Sequence, residues 1–535
     1  MVPSAAQQSQ SNANHQIARA AGTVFIAYVL GSVINVVRGV VILRTFGTAM
    51  DHEAFTAANR VAETLFNLVA GGALASAFIP TFTALLVQKD KEGAWKLASA
   101  IVNLVLIIVS VLASLAAFFA PQTVTSLLAP GFVNDSEKFE LTVQLLRVIL
   151  PSAVIFSISG LVMGMLNAHQ SFLIPALAPS LYSLGMILGV WLLSPVLGIF
   201  GLAWGVVIGA ALHLMVQIPK LLRLGGRFFP TLGLRNPVVK EVGIMMAPRL
   251  VGAAVVQLNF WVNTRLASYY SEGSVTGLTY GFILMMMALQ LLAQTIGIAI
   301  LPTFSIQVAL GKMDEMRSSL ASALRALLLL SVPASLGLIL LRYPLVRFLY
   351  EDGVTFNAGS TDLIAWALLW YAAGLVGHSL LEVLSRAFYA MHDTRTPVIV
   401  GVGAMTLNIL LSIVLGNAFV RIGWMPHGGL ALANSIATGL ESIVLLFLMR
   451  KRLKGLDGSR IVAAVWRALL AATCMGLGIW YFLQFASAWL PVFQVIVGIV
   501  AGGSIYGILL MALRVYEVQY LWKLIHKRVL ARFVR

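Results

Sequence analysis

The chain has 535 residues, of which 59% are hydrophobic and only 10% charged, with a mean hydropathy of +0.92 and a net charge of +16. So little polar surface excludes a water-soluble globule, and apolar runs that repeatedly reach about 20 residues mark an all-α polytopic membrane protein. The cations do not signal nucleic-acid binding, because no soluble basic domain carries them.

The first eighteen residues, MVPSAAQQSQSNANHQIA, lack the basic region and short apolar core of a cleavable signal and read as a disordered tail. Beyond them, breaking the chain at polar, Gly and Pro clusters predicts fourteen spans, beginning near residues 20, 54, 95, 140, 172, 199, 239, 274, 316, 361, 396, 428, 461 and 488. Span 1 contains NVVRGVVILRTFG, with Asn35 and Arg38 on one face. Arg44 lies only three residues before Gly47, where a long side chain can snorkel to the interface. On span 2, Arg60, Glu63 and Asn67 fall at i, i+3 and i+7 and share a face. Arg38 and Glu63 should sit at similar depth, about 13 Å below one surface at 1.5 Å per residue. These residues form a polar, net positive patch suited to an anionic headgroup, or Arg38 or Arg60 neutralises Glu63 as a structural pair.

Span 7 repeats the theme. Arg249 follows Pro248, and Gln257, Asn259 and Asn263 lie further along, with Arg265 near the end. On span 10, Glu382 and Arg386 stand at i and i+4 and can neutralise each other. Arg147, Arg325, Glu441 and Arg467 are single intramembrane charges, and Cys474 reads as a packing residue that can form no intrachain disulfide. The last 22 residues, 514–535, alternate apolar and basic side chains as an interfacial amphipathic helix would.

Two global patterns organise these elements. With the N-terminus inside, 23 of the 36 Lys and Arg fall on the cytoplasmic side, 4 on the outer side and 9 within spans, the bias expected of a correctly threaded chain. In addition, AFIPTFT (Ala77 to Thr83) recurs as AILPTFS (Ala299 to Ser305), 222 residues on; Pro175 meets Pro397, and Leu127 and Gly131 meet Leu349 and Gly353, at the same offset. The chain therefore reads as two parallel six-helix repeats, lobes at 19–225 and 236–453, with helices 13 and 14 added at 461–513. Such repeats enclose a cavity, and rocking between them exposes it alternately to either side, the architecture of a transporter.

No P-loop, dinucleotide fingerprint or nucleophile elbow is present, and the eight histidines show no metal-ligand spacing. These absences point away from an enzyme and from any cofactor or metal, so transport would draw on an ion gradient, the membrane potential or substrate flow.

The segments RGVVILRTFG, GGALASAFIPTFT, LLAPGF, GMLNAHQSFLIPALAPSL and RAFYAMHDTRTPV closely resemble those of MurJ-type lipid II flippases, within the superfamily of multidrug, oligosaccharidyl-lipid and polysaccharide exporters. The resemblance runs through spans 1 to 12. It implies export of the undecaprenyl-pyrophosphate-linked peptidoglycan precursor from inner to outer leaflet of the bacterial plasma membrane. It also implies fourteen spans in two lobes around a cationic cavity, with spans 13 and 14 forming a groove for the lipid tail. Arg38 and Arg44 match basic positions of the family's first span, and Glu53 falls where the family commonly has an acid. Ser32, Phe66 and Ile283 stand where well-known members carry further arginines, so Arg60, Arg249 and Arg265 are the expected replacements.

The expected substrate site is thus Asn35, Arg38, Arg60, Glu63, Asn67, Arg249 and Asn259, with Arg44, Glu53 and Arg265 at a gate or interface. Anionic lipids and cell-wall synthesis enzymes are the expected partners. The competing readings are an ion-coupled exporter of another lipid-linked saccharide or small molecule, and a transport-silent envelope scaffold.

Overall fold

The computed structural model describes residues 27, 29–69, 73–515 and 517–519. The expected N-terminal tail and most of the expected amphipathic C-terminal tail lie outside the described residues. Among those described, every regular element is helical, and the chain divides into two compact units, Met1–Glu272 and Gly273–Arg535.

In the first unit α1 runs Val29–Phe46, α2 Met50–Val69, α3 Ala73–Val87, α4 Lys91–Phe118, α5 Ser136–Ala168, α6 Leu173–Leu197, α7 Ile199–Arg223 and α8 Pro237–Ala267. Side-chain caps set several of the starts. Asp90 accepts from Gly93 N–H, Asp135 from the N–H groups of Glu137 and Lys138, and Asn236 from Val238 N–H, each satisfying an otherwise orphaned donor. Lipid tails are as apolar as Leu, so helix association here depends on close packing more than on water exclusion. α6 and α7 meet that demand through Gly185, Gly189, Gly201, Gly205 and Gly209. A Cβ on Gly185 would lie 2.2 Å from Gly209 Cα, and one on Gly189 would lie 2.5 Å from Gly205 Cα, so the two backbones touch. The segment after α7 folds back on α4, where Asn103 Nδ2 donates to the carbonyls of Phe229 (3.2 Å) and Thr231 (2.9 Å) and Ser99 Oγ accepts from Phe229 N–H (3.0 Å).

In the second unit α9 runs Ser274–Ala309, α10 Met313–Tyr350, α11 Ala358–Ala373, α12 Leu375–Ala390, α13 Arg395–Arg421, α14 His427–Arg452, α15 Gly458–Phe485 and α16 Pro491–Ala512. α11 and α12 are bent by 49° against each other. α15 and α16 pack on α10: Ala468, Ala471, Ala472, Met475, Ile479, Tyr506 and Leu510 cluster with Leu329 and Leu341, and Tyr506 Oη donates to Leu329 O at 2.8 Å. Cys474, read as a packing residue, instead lies on an exposed face of α15, because the buried stripe of that helix passes through Ala471, Ala472 and Met475.

Helix boundaries carry the 222-residue offset. α3 ends at Val87 and α9 at Ala309; α4 starts at Lys91 and α10 at Met313; α5 ends at Ala168 and α12 at Ala390; α6 starts at Leu173 and α13 at Arg395. Left-handed residues follow the same rule, since Lys89 and Gln170 (φ 64° and 57°) recur as Gly311 and His392 (φ 69° and 59°). Phe82 and Phe304 of the two PTF motifs are both fully buried.

Among the described residues, eleven helices are long and apolar enough to cross a membrane, or twelve when α11 and α12 form one span. Two further segments, α2 with α3 and the 31-residue α8, border or include residues outside those described and are not among these helices. They carry the polar stripes of spans 2 and 7.

Candidate functional site

The candidate substrate residues of the first unit lie on α1, α2 and α8, with α6 beside them. Arg38 of α1 is half-buried; its Nη1 donates to Ser183 Oγ of α6 at 3.4 Å, and its guanidinium lies 5.8 Å from the centre of the Tyr182 ring. Ser183 in turn donates to Asn35 Oδ1 at 3.4 Å. Tyr182 is held in place from behind, its ring edge-on to Phe156 at 4.6 Å and its backbone against Gly209. The Tyr182 hydroxyl lies within electrostatic reach of both Arg38 and Glu63, so these two charges belong to one neighbourhood.

Glu63 itself is fully engaged on its own helix. Asn59 Nδ2 donates to Glu63 Oε1 at 2.8 Å and Arg60 Nη1 to Oε2 at 3.0 Å. Arg60 also lies over the Phe260 ring of α8 at 5.2 Å. This pairing separates the two candidate arginines electrostatically: Arg60 is neutralised at i, i+3, whereas Arg38 has no carboxylate within ion-pair distance among the described residues. The cluster therefore retains about one positive charge, at Arg38.

α8 closes this face. Trp261 Nε1 donates to Thr64 Oγ1 at 2.7 Å, and Thr64 donates to Arg60 O at 2.7 Å. Asn259 and Asn263 are buried, with Asn263 Nδ2 donating to Asn259 Oδ1 at 3.2 Å. Asn67 is half-buried one turn beyond Glu63, the side chain of Arg249 lies outside the described part of α8, and Arg44 is exposed.

A second cluster joins the starts of α2 and α5. Glu53 and Lys138 form an ion pair at 2.5 Å with side chains only 2% and 9% exposed, and the Lys138 ammonium sits 4.1 Å above the Phe132 ring. Nearby, Arg265 donates to Ser126 O, and Gly131 N–H to Ser268 Oγ at 3.1 Å, tying the end of α8 to the turn before α5. Glu53 and Arg265 thus hold elements together.

The positions singled out as lost arginines are filled differently: Phe66 packs at a tilt against Phe156 with ring centres 5.0 Å apart, Ile283 is 37% exposed and Ser32 is exposed. The second unit contains its own buried polar groups. Arg386 pairs with Glu382 at 2.6 Å as their i, i+4 spacing predicts, and His378 Nε2 lies 3.0 Å from Asn434 Oδ1. Arg325, single by sequence, meets Glu517 at 2.8 Å. Among the described residues no group of three His, Cys, Asp or Glu could hold a metal.

Sequence reasoning missed Asn59, Tyr182, Ser183 and Lys138. Tyr182 and Ser183 were visible with Ser180 as the polar residues of the largely apolar run LAPSLYSLGMIL, whereas Lys138 reads as a loop residue because its partner is 85 residues away.

Comparison with known proteins adds a separate line. A family model described as lipid II flippase MurJ matches residues 42–500. The lipid II flippase MurJ of Burkholderia cenocepacia is 31% identical over 431 residues, covering 79% of this chain and 82% of its own. A solved structure of a lipid II flippase MurJ in an inward closed conformation matches with a TM-score of 0.78 at 25% identity, covering 93% of this chain and 99% of that one. A multidrug-resistance MATE transporter in an inward-facing conformation matches at 0.65 and 16% identity, over 79% of this chain and 94% of its own, a likeness of fold alone.

Proposed function

Because this chain belongs to the MurJ family of lipid II flippases, we propose that it moves the undecaprenyl-pyrophosphate-linked peptidoglycan precursor from the inner to the outer leaflet of the bacterial plasma membrane. The observation that carries this reading is Arg38. An arginine without a carboxylate partner among the described residues, half-buried in an apolar unit beside Tyr182, Ser183 and Asn35, offers a charge-assisted, two-pronged donor to a pyrophosphate. An intramembrane cation of this kind is costly to insert and usually marks a substrate path.

In this reading Arg38 binds the pyrophosphate, with Arg249 as a second cation. Asn35, Asn67 and Asn259 contact sugar or peptide, and Arg60 with Glu63 shapes the polar face without adding net charge. Glu53 and Arg265 hold the ends of α2 and α8, and Arg44 anchors α1 at the interface. The lobes at 19–225 and 236–453 act as the two halves of the transport cycle, with helices 13 and 14 beside the lipid tail. The 23 to 4 split of basic residues supports cytoplasmic termini and an attraction to anionic lipids on that side.

The test is translocation of lipid II by the purified chain in proteoliposomes. Translocation that falls at least tenfold in Arg38→Ala and is partly retained in Arg38→Lys supports the reading. No translocation by the native chain, or full activity in Arg38→Ala, overturns it.

A further inference from the structure

The second unit contains a carboxyl group that the binding of a pyrophosphate does not use. Glu441 lies in the middle of α14, its residue only 7% exposed, and its Oε2 is buried with no hydrogen-bond donor among the described residues. Its other oxygen faces the backbone of α13, where a Cβ on Gly401 would lie 3.2 Å from Oε1. A buried carboxylate without a donor has little to stabilise its charge, and ionising it unpaired within a bilayer costs several kcal/mol.

The groups around it are few. α12 brings Glu382, Arg386 and Tyr389, and Tyr389 lies within electrostatic reach of Glu382, Glu441 and Arg386 together. His378, also on α12, is bonded to Asn434 two turns back along α14. α13 carries charge only at its ends, Arg395 and Arg421; α11 carries Asp362 and Tyr371, and α9 carries Tyr280. Arg386 is the single cation among these that shares the electrostatic neighbourhood of Tyr389, and it is only half used. Nη2 bonds Glu382 at 2.6 Å, while Nη1 is buried and has no acceptor among the described residues. That Nη1 occupies the space over Gly297 of α9, where a Cβ would come within 1.6 Å of it.

Arg386 thus keeps to Glu382 and to the space over α9, and the Glu441 carboxyl is left buried against α13 with no cation bonded to it among the described residues. We propose that Glu441 is a proton-binding site of the second unit: it holds a proton while buried against α13 and releases it when the carboxyl is opened to water. The step is a simple dissociation, in which the Glu441 carboxylic acid yields a carboxylate and a proton passed to water. A metal cation is not the ligand, because it needs several oxygens, while Ser442 Oγ is committed to Gly439 O at 2.8 Å. That the proton helps drive lipid movement rests on the function proposed above; that Glu441 binds it does not.

Two measurements on the full chain separate these claims. Infrared spectra in nanodiscs at neutral pH should show a protonated-carboxyl carbonyl band that disappears in Glu441→Gln and persists, shifted, in Glu441→Asp; a band of unchanged size in Glu441→Gln overturns the site. In proteoliposomes, imposing a gradient of one pH unit should change the native lipid II translocation rate by up to about tenfold, the most a single proton can supply. In Glu441→Gln the same gradient should change it less than about twofold. A native rate indifferent to the gradient overturns the coupling. Absence of all translocation by the native chain would instead refute the flippase reading and leave the infrared result standing. Should Glu441→Gln fail to elute as a folded protein, the Glu441→Asp band decides the site.

Discussion

Lys138 Nζ lies 2.5 Å from Glu53 Oε2, with both side chains almost fully buried between the starts of α2 and α5. Removing one partner strands the other, so Glu53→Gln or Lys138→Met alone should lower stability by roughly 3–5 kcal/mol. The double variant Glu53→Gln with Lys138→Met should recover most of the loss. Thermal unfolding in detergent, followed by size-exclusion of the surviving fraction, reads all three; equal losses in single and double variants would refute the pairing argument.

Arg38 and Arg44 should behave differently despite their shared helix. Arg38→Ala removes the cation beside Tyr182 and should weaken binding of an undecaprenyl pyrophosphate by about 1.5–3 kcal/mol, at least tenfold. Arg44→Ala, at an exposed position, should change it less than about twofold. Isothermal titration in nanodiscs separates the two.

Packing reaches the same site through Gly209. A Cβ there would meet Tyr182 O at 2.5 Å and Tyr182 Cδ2 at 2.8 Å, so Gly209→Val must push α6 away or turn the tyrosine. The expected result is a weakened pyrophosphate affinity together with a lower melting temperature, whereas Gly503→Val on α16, with open space around it, should change neither.

Asn103 fastens the segment after α7 with two hydrogen bonds, to Phe229 O and Thr231 O. Asn103→Ala should free that segment, and limited trypsin digestion should then cut after Arg227 several-fold faster than in the native chain. An unchanged cleavage rate would mean that Ser99 alone suffices.

Outside the spans, Asp393 lies just before α13 and accepts a hydrogen bond from its first turn. Thr396 N–H donates to it at 3.0 Å, and the Thr396 hydroxyl and Arg452 add to the effect, holding its carboxyl down to about 2. The folded value lies below the unfolded one of about 3.9, so this contribution is complete above about pH 4 and is lost as pH falls toward 2. Asp393→Asn should cost about 1 kcal/mol at neutral pH and flatten the decline in stability between those limits. Unfolding measured across that range checks the sign.

Membrane architecture was legible because composition, loop charge and the internal offset all report the same threading. The offset proved sharper than residue identity suggests: Lys89 and Gly311 share a left-handed conformation although one is lysine and the other glycine. Local charge pairs were equally readable, as at Arg386 with Glu382, because helical spacing alone brings them together. What could not be read was any partnership across the sequence. The spacing of Arg60 and Glu63 left open whether Arg38 or Arg60 neutralises the acid, and only the fold shows that Asn59 and Arg60 occupy both its oxygens. Glu53 gave no hint of Lys138, nor Arg38 of Tyr182 and Ser183, since each pairing is made by tertiary packing over tens of residues.

The polarity of α2 and α8 also bears on biogenesis. Each segment supplies what the other lacks, with Trp261 bonding Thr64 and Phe260 covering Arg60. The ribosome delivers them about 200 residues apart. During synthesis α2 must therefore wait, sheltered by the insertion machinery or by α5, until α8 emerges, and a stop of translation before residue 267 would leave a half-seated helix for membrane proteases to recognise.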